Sequence, residues 1–202
     1  MPTLPPLPKS YTAEVVRSDG DRMILYVDGW MRRVELYPKS GGPSIVISRP
    51  DKHVTWSLSP ETKTYSQAKM PDGMERAFDA DTLYDWCEKG MEMIDGRRCR
   101  RFVGRYHEAV GPVGKAHEVC FVDAKTCMPR RVVTHDAKGE IALTIDCVNA
   151  KVGIPPRRVF ELPEGYKRSY RRKSALLTNR KPARHWTSKG SRESARDSCG
   201  RS

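Results

Sequence analysis

The feature that most limits what this chain can fold into is a period-two alternation of apolar and polar residues, repeated along much of its length. Met23, Leu25 and Val27 alternate with Arg22, Ile24 and Tyr26, and Trp30, Val34 and Leu36 alternate with Met31, Arg33 and Glu35, with Arg32 interrupting. Val54, Trp56 and Leu58 alternate with His53, Thr55 and Ser57, and Ile141, Leu143, Ile145 and Cys147 with Ala142, Thr144 and Asp146. Successive side chains of an extended strand point to opposite faces, so each run makes one apolar and one polar face. That pattern belongs to an antiparallel sheet covered on one side. Turn formers punctuate the runs: Ser18–Asp21, Asp28-Gly29, Ser40–Pro43, Ser59–Thr62, Asp95-Gly96, Asp123–Thr126 and Ala137–Gly139. Gly, Asp, Asn and Pro at such spacing end strands and start hairpins, and about ten strands fit between them.

One segment has a different period. Asp79–Lys89 reads as a helix, with Asp79 or Asp81 as cap, Leu83, Trp86 and Cys87 on one face, and Gly90 past the end. It is expected to pack across the apolar face of the sheet. With 202 residues the chain suffices for one domain with a sizeable core. No apolar run approaches the roughly 20 residues that a membrane-spanning helix needs. The start, Met1–Pro8, has neither the basic residues nor the apolar stretch of a secretory signal.

The net charge of +12 is unevenly placed. Residues 167–202 hold twelve Lys/Arg and two acids, leaving the rest nearly neutral. With one short apolar patch at Ala175–Leu177, that stretch reads as a solvated, disordered basic tail. Such a tail can adsorb nucleic acid or anionic headgroups by charge alone, but nucleic acid is disfavoured as a partner because the body carries no basic excess. The expected organisation is a proline-rich segment over 1–10, a β domain over 11–166 and the tail over 167–202.

Motifs for chemistry were sought among the titratable residues. His107-Glu108 and His117-Glu118 lack the second histidine four residues on that a helical zinc site requires. Gly111–Lys115 lacks the spacing and the following Ser/Thr of a phosphate loop. No G-x-S-x-G elbow is present, and carboxylates such as Asp51, Glu61, Asp72, Asp123 and Asp136 sit beside turns. The six cysteines (87, 99, 120, 127, 147, 199) include no C-x-x-C pair. Cys120 and Cys127 flank an expected hairpin turn and could pair in an oxidising compartment; Cys99 and Cys147 fall within strands, where a free thiol is a small core residue. The reading is therefore non-enzymatic, with no cofactor and no metal.

Large apolar residues are spread over many strands, and a wide one-sided sheet with few helices tends to leave an apolar hollow. Three stretches then resemble a known family. They are His53–Tyr65 with Trp56, Pro60 and Tyr65; Gly90–Cys99, an E-x-I-x-G-x-x-C strand pair; and Phe121 through Met128–Arg131 to Phe160-Glu-Leu-Pro-Glu-Gly-Tyr166. Their order and spacing are similar to the LolA/LolB-like superfamily of periplasmic lipoprotein and lipid carriers, nearest to its uncharacterised bacterial envelope branch. That resemblance implies a mainly β fold, a curved antiparallel sheet forming an unclosed half-barrel with one or few helices on its concave face. It also implies a periplasmic or envelope location and a lipid or lipoprotein acyl chain as ligand, held as cargo or as signal. The cavity is expected to be lined by Trp30, Leu36, Val54, Trp56, Leu58, Trp86, Phe102, Phe121, Ile141, Leu143 and Phe160. The alternative is an envelope protein–protein module without lipid, whose open sheet edges recruit a partner.

Overall fold

The structure is a computed structural model, and it describes residues 4–70, 84–106 and 114–169. Twelve strands form a single sheet: β1 (Ser10–Arg17), β2 (Arg22–Asp28), β3 (Met31–Tyr37), β4 (Ser44–Arg49), β5 (Val54–Ser59), β6 (Thr64–Lys69), β7 (Tyr84–Ile94), β8 (Arg97–Tyr106), β9 (His117–Asp123), β10 (Pro129–His135), β11 (Ile141–Val152) and β12 (Lys167–Arg168). The spatial order is β12-β6-β5-β4-β3-β2-β1-β11-β10-β9-β8-β7. All neighbours are antiparallel except β12, which runs parallel to β6. Two meanders, β1–β6 and β7–β11, are joined where β1 pairs with β11, Val15 facing Cys147. The sheet ends at β12 and β7 and is not closed.

Every expected turn sits between consecutive strands. At Asp95-Gly96 both residues have positive φ (48° and 73°), the geometry that matches hairpin twist and that Asp-Gly favours. Lys167–Arg168, assigned to the tail from sequence, pair with Thr64 and Tyr65 instead. Residues 170–202, with the remainder of the basic stretch, lie outside the described residues.

Two expectations are overturned. The helix over Asp79–Lys89 is not formed where the residues are described: Tyr84–Lys89 belong to β7, and Asp79–Leu83 lie outside the described residues. Tyr84 and Trp86 are buried while Asp85 and Cys87 are exposed, an alternation of period two. Pairing with β8, which sets Trp86 opposite Gly104 and Tyr84 opposite Tyr106, overrides the local helical spacing. The described helical elements are two short 3-10 turns, Pro50–Lys52 and Arg157–Phe160.

The sheet is also not covered on one side only. Directly opposed residues Ala13 and Leu25, Val15 and Cys147, Ile145 and Val132, Cys120 and Phe102, and Gly104 and Trp86 step across one face from β2 to β7. In the first meander that face continues through Val46 into Ser57 and Ser66, which make it polar at its far edge. There the opposite face is buried, with Ile45, Ile47 and Leu58 packed against Trp56, Tyr65, Leu162 and Tyr166. Strand β9 is buried on both faces, Val119 to Asp123 without a break, and a third cluster of Ile94, Cys99, Val119 and Phe121 fills its second side. Which face is buried thus depends on what the two ends of the chain cover.

The C-terminal segment covers the first meander. Phe160 is fully buried, and Arg49, 1% exposed, donates to the Phe160 carbonyl at 3.3 Å. The Arg49 guanidinium also forms a two-pronged pair with Asp51 (2.8 and 2.6 Å) and binds Glu161. A buried charge needs such partners, because desolvation alone costs several kcal/mol. Arg33 adds a bond to the Val159 carbonyl at 3.1 Å. The N-terminal segment covers the other meander, where Leu4 packs against the cluster of Tyr84, Trp86, Phe102, Cys120 and Val122.

Candidate ligand cavity

Between the N-terminal segment and the sheet lies a cavity of about 850 Å³. Leu4, Pro5, Pro6, Leu7, Pro8 and Lys9 form one wall; Tyr11, Val27, Trp86, Cys120, Val122 and Val132 form the sheet side. Gly29, Trp30, Arg32, Glu118, Cys127 and Pro129 complete the lining. The size falls within the roughly 300–1,000 Å³ typical of sites for small ligands, and the mostly apolar lining with a few polar groups fits the same class.

The local sequence explains this wall. Pro5, Pro6 and Pro8 hold φ near −65° and remove amide donors, so the segment crosses the sheet without joining its ladder. An extended proline-rich chain repeats about every three residues, which puts Leu4 and Leu7 on one side. On the sheet side, Val132, Cys120 and Phe102 are directly opposed in neighbouring strands, with Phe102 forming the floor beneath the lining.

Trp86 is the most constrained part of the lining. It faces Gly104 across β7–β8, and a Cβ at position 104 would come within 2.6 Å of its ring. The glycine therefore makes room for the indole. Tyr84 stacks obliquely on Trp86 (5.2 Å between ring centres) and on Tyr106 (4.6 Å). The Trp86 indole N–H is buried and has no acceptor among the described residues. An unpaired buried donor of this kind costs about 1–3 kcal/mol.

Titratable groups around the cavity are shifted by burial. Desolvation pushes the Cys120 thiol up to about 12 and the Cys147 thiol above its ordinary value. Burial, reinforced by hydrogen bonds to Tyr106 and Glu118, holds the Tyr84 hydroxyl well above the usual tyrosine range. Tyr11 is raised by burial as well, with Arg32 opposing the shift. These groups are neutral at physiological pH, and the charged residues on the sheet side of the lining are Arg32 and Glu118. Among the described residues no cluster of three or more His, Cys, Asp or Glu is placed to hold a metal.

The residues expected to line one cavity are dispersed. Trp30 and Trp86 line it, and Phe102 lies directly beneath. Val54, Trp56 and Leu58 face the C-terminal cover in the first meander, where Phe160 is also buried. Phe121 points to the second side of β9. Leu36, opposite Met23, and Leu143, opposite Thr134, lie outside the lining, and Ile141 is 65% exposed at the start of β11. Trp30 sits in the β2–β3 turn and not in a strand. The proline-rich wall was missed because proline breaks the alternation; the three-residue spacing of Leu4 and Leu7 was its one signal.

The expected Cys120–Cys127 bridge is absent, both being free thiols. Cys120 faces Val132, whereas Cys127, with φ 57°, lies in the turn beyond the last rung between Val122 and Pro129. At about 3.3 Å per strand residue, the offset exceeds the roughly 7 Å Cα separation that a disulfide spans.

No protein-family model matches the chain, and no curated protein does either. Solved structures do. An uncharacterised conserved protein from Thermus thermophilus superposes with a TM-score of 0.59 at 16% identity, covering 81% of this chain and 91% of that one. Pseudomonas aeruginosa MucB in its complex with MucA aligns with a TM-score of 0.49 at 13% identity, over 75% of this chain and 55% of that one. A LolA superfamily protein from Nitrosomonas europaea aligns with a TM-score of 0.34 at 11% identity, over 78% of this chain and 92% of that one. The likeness to the Thermus thermophilus protein is one of fold, an unclosed and mainly antiparallel sheet.

Proposed function

We propose that the chain binds an apolar ligand, a lipid or a lipoprotein acyl chain, in the cavity beneath its N-terminal segment, and acts in a bacterial envelope as carrier or sensor. The role is one of binding and not of catalysis. The observation that carries this reading is the cavity of about 850 Å³, walled mostly by apolar side chains together with the burial-shifted Cys120 thiol and Tyr11 phenol, and with Lys9, Arg32 and Glu118 as its charged residues. Burying about twelve methylenes at roughly 0.8 kcal/mol each supplies about 10 kcal/mol before ordering costs.

The test is titration with a fluorescent fatty acid, together with native mass spectrometry of protein purified from a bacterial host. The wild type is expected to saturate at one ligand per chain. Val132→Trp, which fills the cavity from β10, is expected to abolish binding while circular dichroism stays that of the wild type. Saturation unchanged in Val132→Trp, or no binding by wild type, would overturn the reading.

One observation favours a second reading, an envelope protein partner. Strand β7 is an open edge whose residues Met91 and Met93 are 44% and 62% exposed, and an added strand can pair with such an edge. Its Glu88, Lys89 and Glu92 and the register shift between Glu88 and Met91 oppose pairing. A partner captured by wild type and lost in Met93→Lys, with no bound lipid, would support this reading over the first.

A further inference from the structure

Of the eight large apolar residues that stand exposed among the described residues, four gather at one end of the sheet. Trp30 (55% exposed) lies in the β2–β3 turn, Leu7 (50%) on the N-terminal segment, Val152 (55%) at the end of β11, and Ile154 (79%) just beyond it. Backbone bonds hold these segments together: Gly29 N–H donates to the Lys9 carbonyl at 2.8 Å, and Gly153 N–H to the Ser10 carbonyl at 3.0 Å. Single exposed apolar residues are ordinary, but a cluster with a polar rim marks an interaction surface.

The rim is mainly basic. Lys9, Lys151, Arg157 and Arg158 are all exposed at this end. One acid, Asp28, lies among them and accepts a hydrogen bond from the neutral Ser10 hydroxyl at 2.6 Å, whereas Glu161 is paired with Arg49 and Lys52. A protruding tryptophan with aliphatic neighbours and a basic surround suits the boundary of an anionic bilayer. The indole settles at the headgroup level, the aliphatic groups enter the acyl boundary, and each Lys or Arg near the surface adds attraction.

Position links this end to the cavity. Trp30 and Leu7 are both half-exposed and both line it. They therefore stand where the cavity meets solvent, and a ligand leaving past them would pass directly into whatever the surface has docked on. We propose that the Trp30–Ile154 end of the sheet is a peripheral docking surface for anionic lipid bilayers, set so that the cavity mouth faces the membrane during ligand exchange. The exchange role rests on the cavity being the ligand site; the docking itself does not.

The experiment uses the full chain with vesicles of phosphatidylglycerol and phosphatidylcholine, and with vesicles of phosphatidylcholine alone, followed by hydrogen–deuterium exchange and by flotation in 0.5 M salt. High salt screens adsorption that is due to charge alone, which matters because residues 167–202 are strongly basic. Docking predicts slowed exchange in peptides over 26–34 and 149–158 with anionic vesicles only. The double variant Val152→Ser/Ile154→Ser, altered at exposed positions outside the cavity lining, is expected to lose that protection and to bind in high salt about tenfold more weakly or worse. Protection confined to other peptides, or a double variant that behaves as wild type, would overturn the proposal. Protection of the same peptides by phosphatidylcholine alone would overturn its anionic specificity. Fatty-acid titration of both proteins in solution separates the two readings: unchanged titration with lost flotation supports docking, and absent titration with retained flotation removes the cavity reading alone.

Discussion

Trp86 and Gly104 show how one residue's absence of a side chain shapes the site. Gly104→Ala puts a methyl group where the indole ring now lies, within 2.6–2.8 Å of three ring atoms. Overpacking of this kind costs about 1–3 kcal/mol, so the unfolding free energy of Gly104→Ala from urea denaturation should fall by that amount and tryptophan emission should change. The thiols supply a second residue-scale prediction. Thiolate is the reactive form, and burial keeps Cys120, Cys147 and Cys99 protonated, whereas Cys87 is exposed. Brief alkylation of the native protein at pH 8, mapped by peptide, should label Cys87 well ahead of these three. Equal labelling would show that the cavity side of the sheet is open to reagent.

Among the elements, the C-terminal cover depends on ionised carboxylates. Hydrogen bonding from Arg49 holds Asp51 below its ordinary value, and bonds from Lys52 and Arg49 do the same for Glu161. Both folded-state values lie below the unfolded ones, so this stabilisation is fully present above the ordinary carboxylate range near pH 4 and is lost as pH falls through the lowered values. Both carboxylates are nearly half exposed, so solvent screening reduces the effect. The urea midpoint of wild type should fall more steeply between about pH 4.5 and 2.5 than that of Asp51→Asn/Glu161→Gln. Phe160→Ala removes the fully buried ring of the same cover and should cost about 3–5 kcal/mol.

The elements also show what could be read from residues alone. Strand positions and turns were legible because Asp95-Gly96, Ala137–Gly139 and their like carry backbone geometry in their own chemistry. Trp86 and Cys87 misled because Leu83, Trp86 and Cys87 match a helix as well as Tyr84 and Trp86 match a strand, and only the distant partner Gly104 decides between them. The cavity was less legible still. Val54, Trp56 and Leu58 alternate as cleanly as Met23, Leu25 and Val27 do, yet they face the other way, because alternation states that a strand has two faces and not which one a covering segment will choose.

In the whole molecule the two coverings are exchanged. The N-terminal segment lies on the cluster from β7–β9, and the C-terminal segment lies on β3–β5, so each meander is completed by the chain end that leads into or out of the other. Neither half buries its apolar residues alone. Residues 4–169 should therefore unfold as one unit, with circular dichroism and tryptophan fluorescence giving coincident urea transitions. A resolved intermediate with one meander intact would contradict that dependence.

The same exchange has a mechanical consequence. Both covers are terminal, so tension applied between residues 4 and 169 loads them before it reaches the β1–β11 joint at the centre of the sheet. The proline segment has no ladder bonds to shear and should peel first, at low force, whereas β12 is held in parallel to β6 and gives way later. Pulling on the N-terminal end would thus unroof the cavity while most of the strand ladder remained intact, and an optical-trap record should show that small early step shorten when Val132→Trp fills the space beneath the roof.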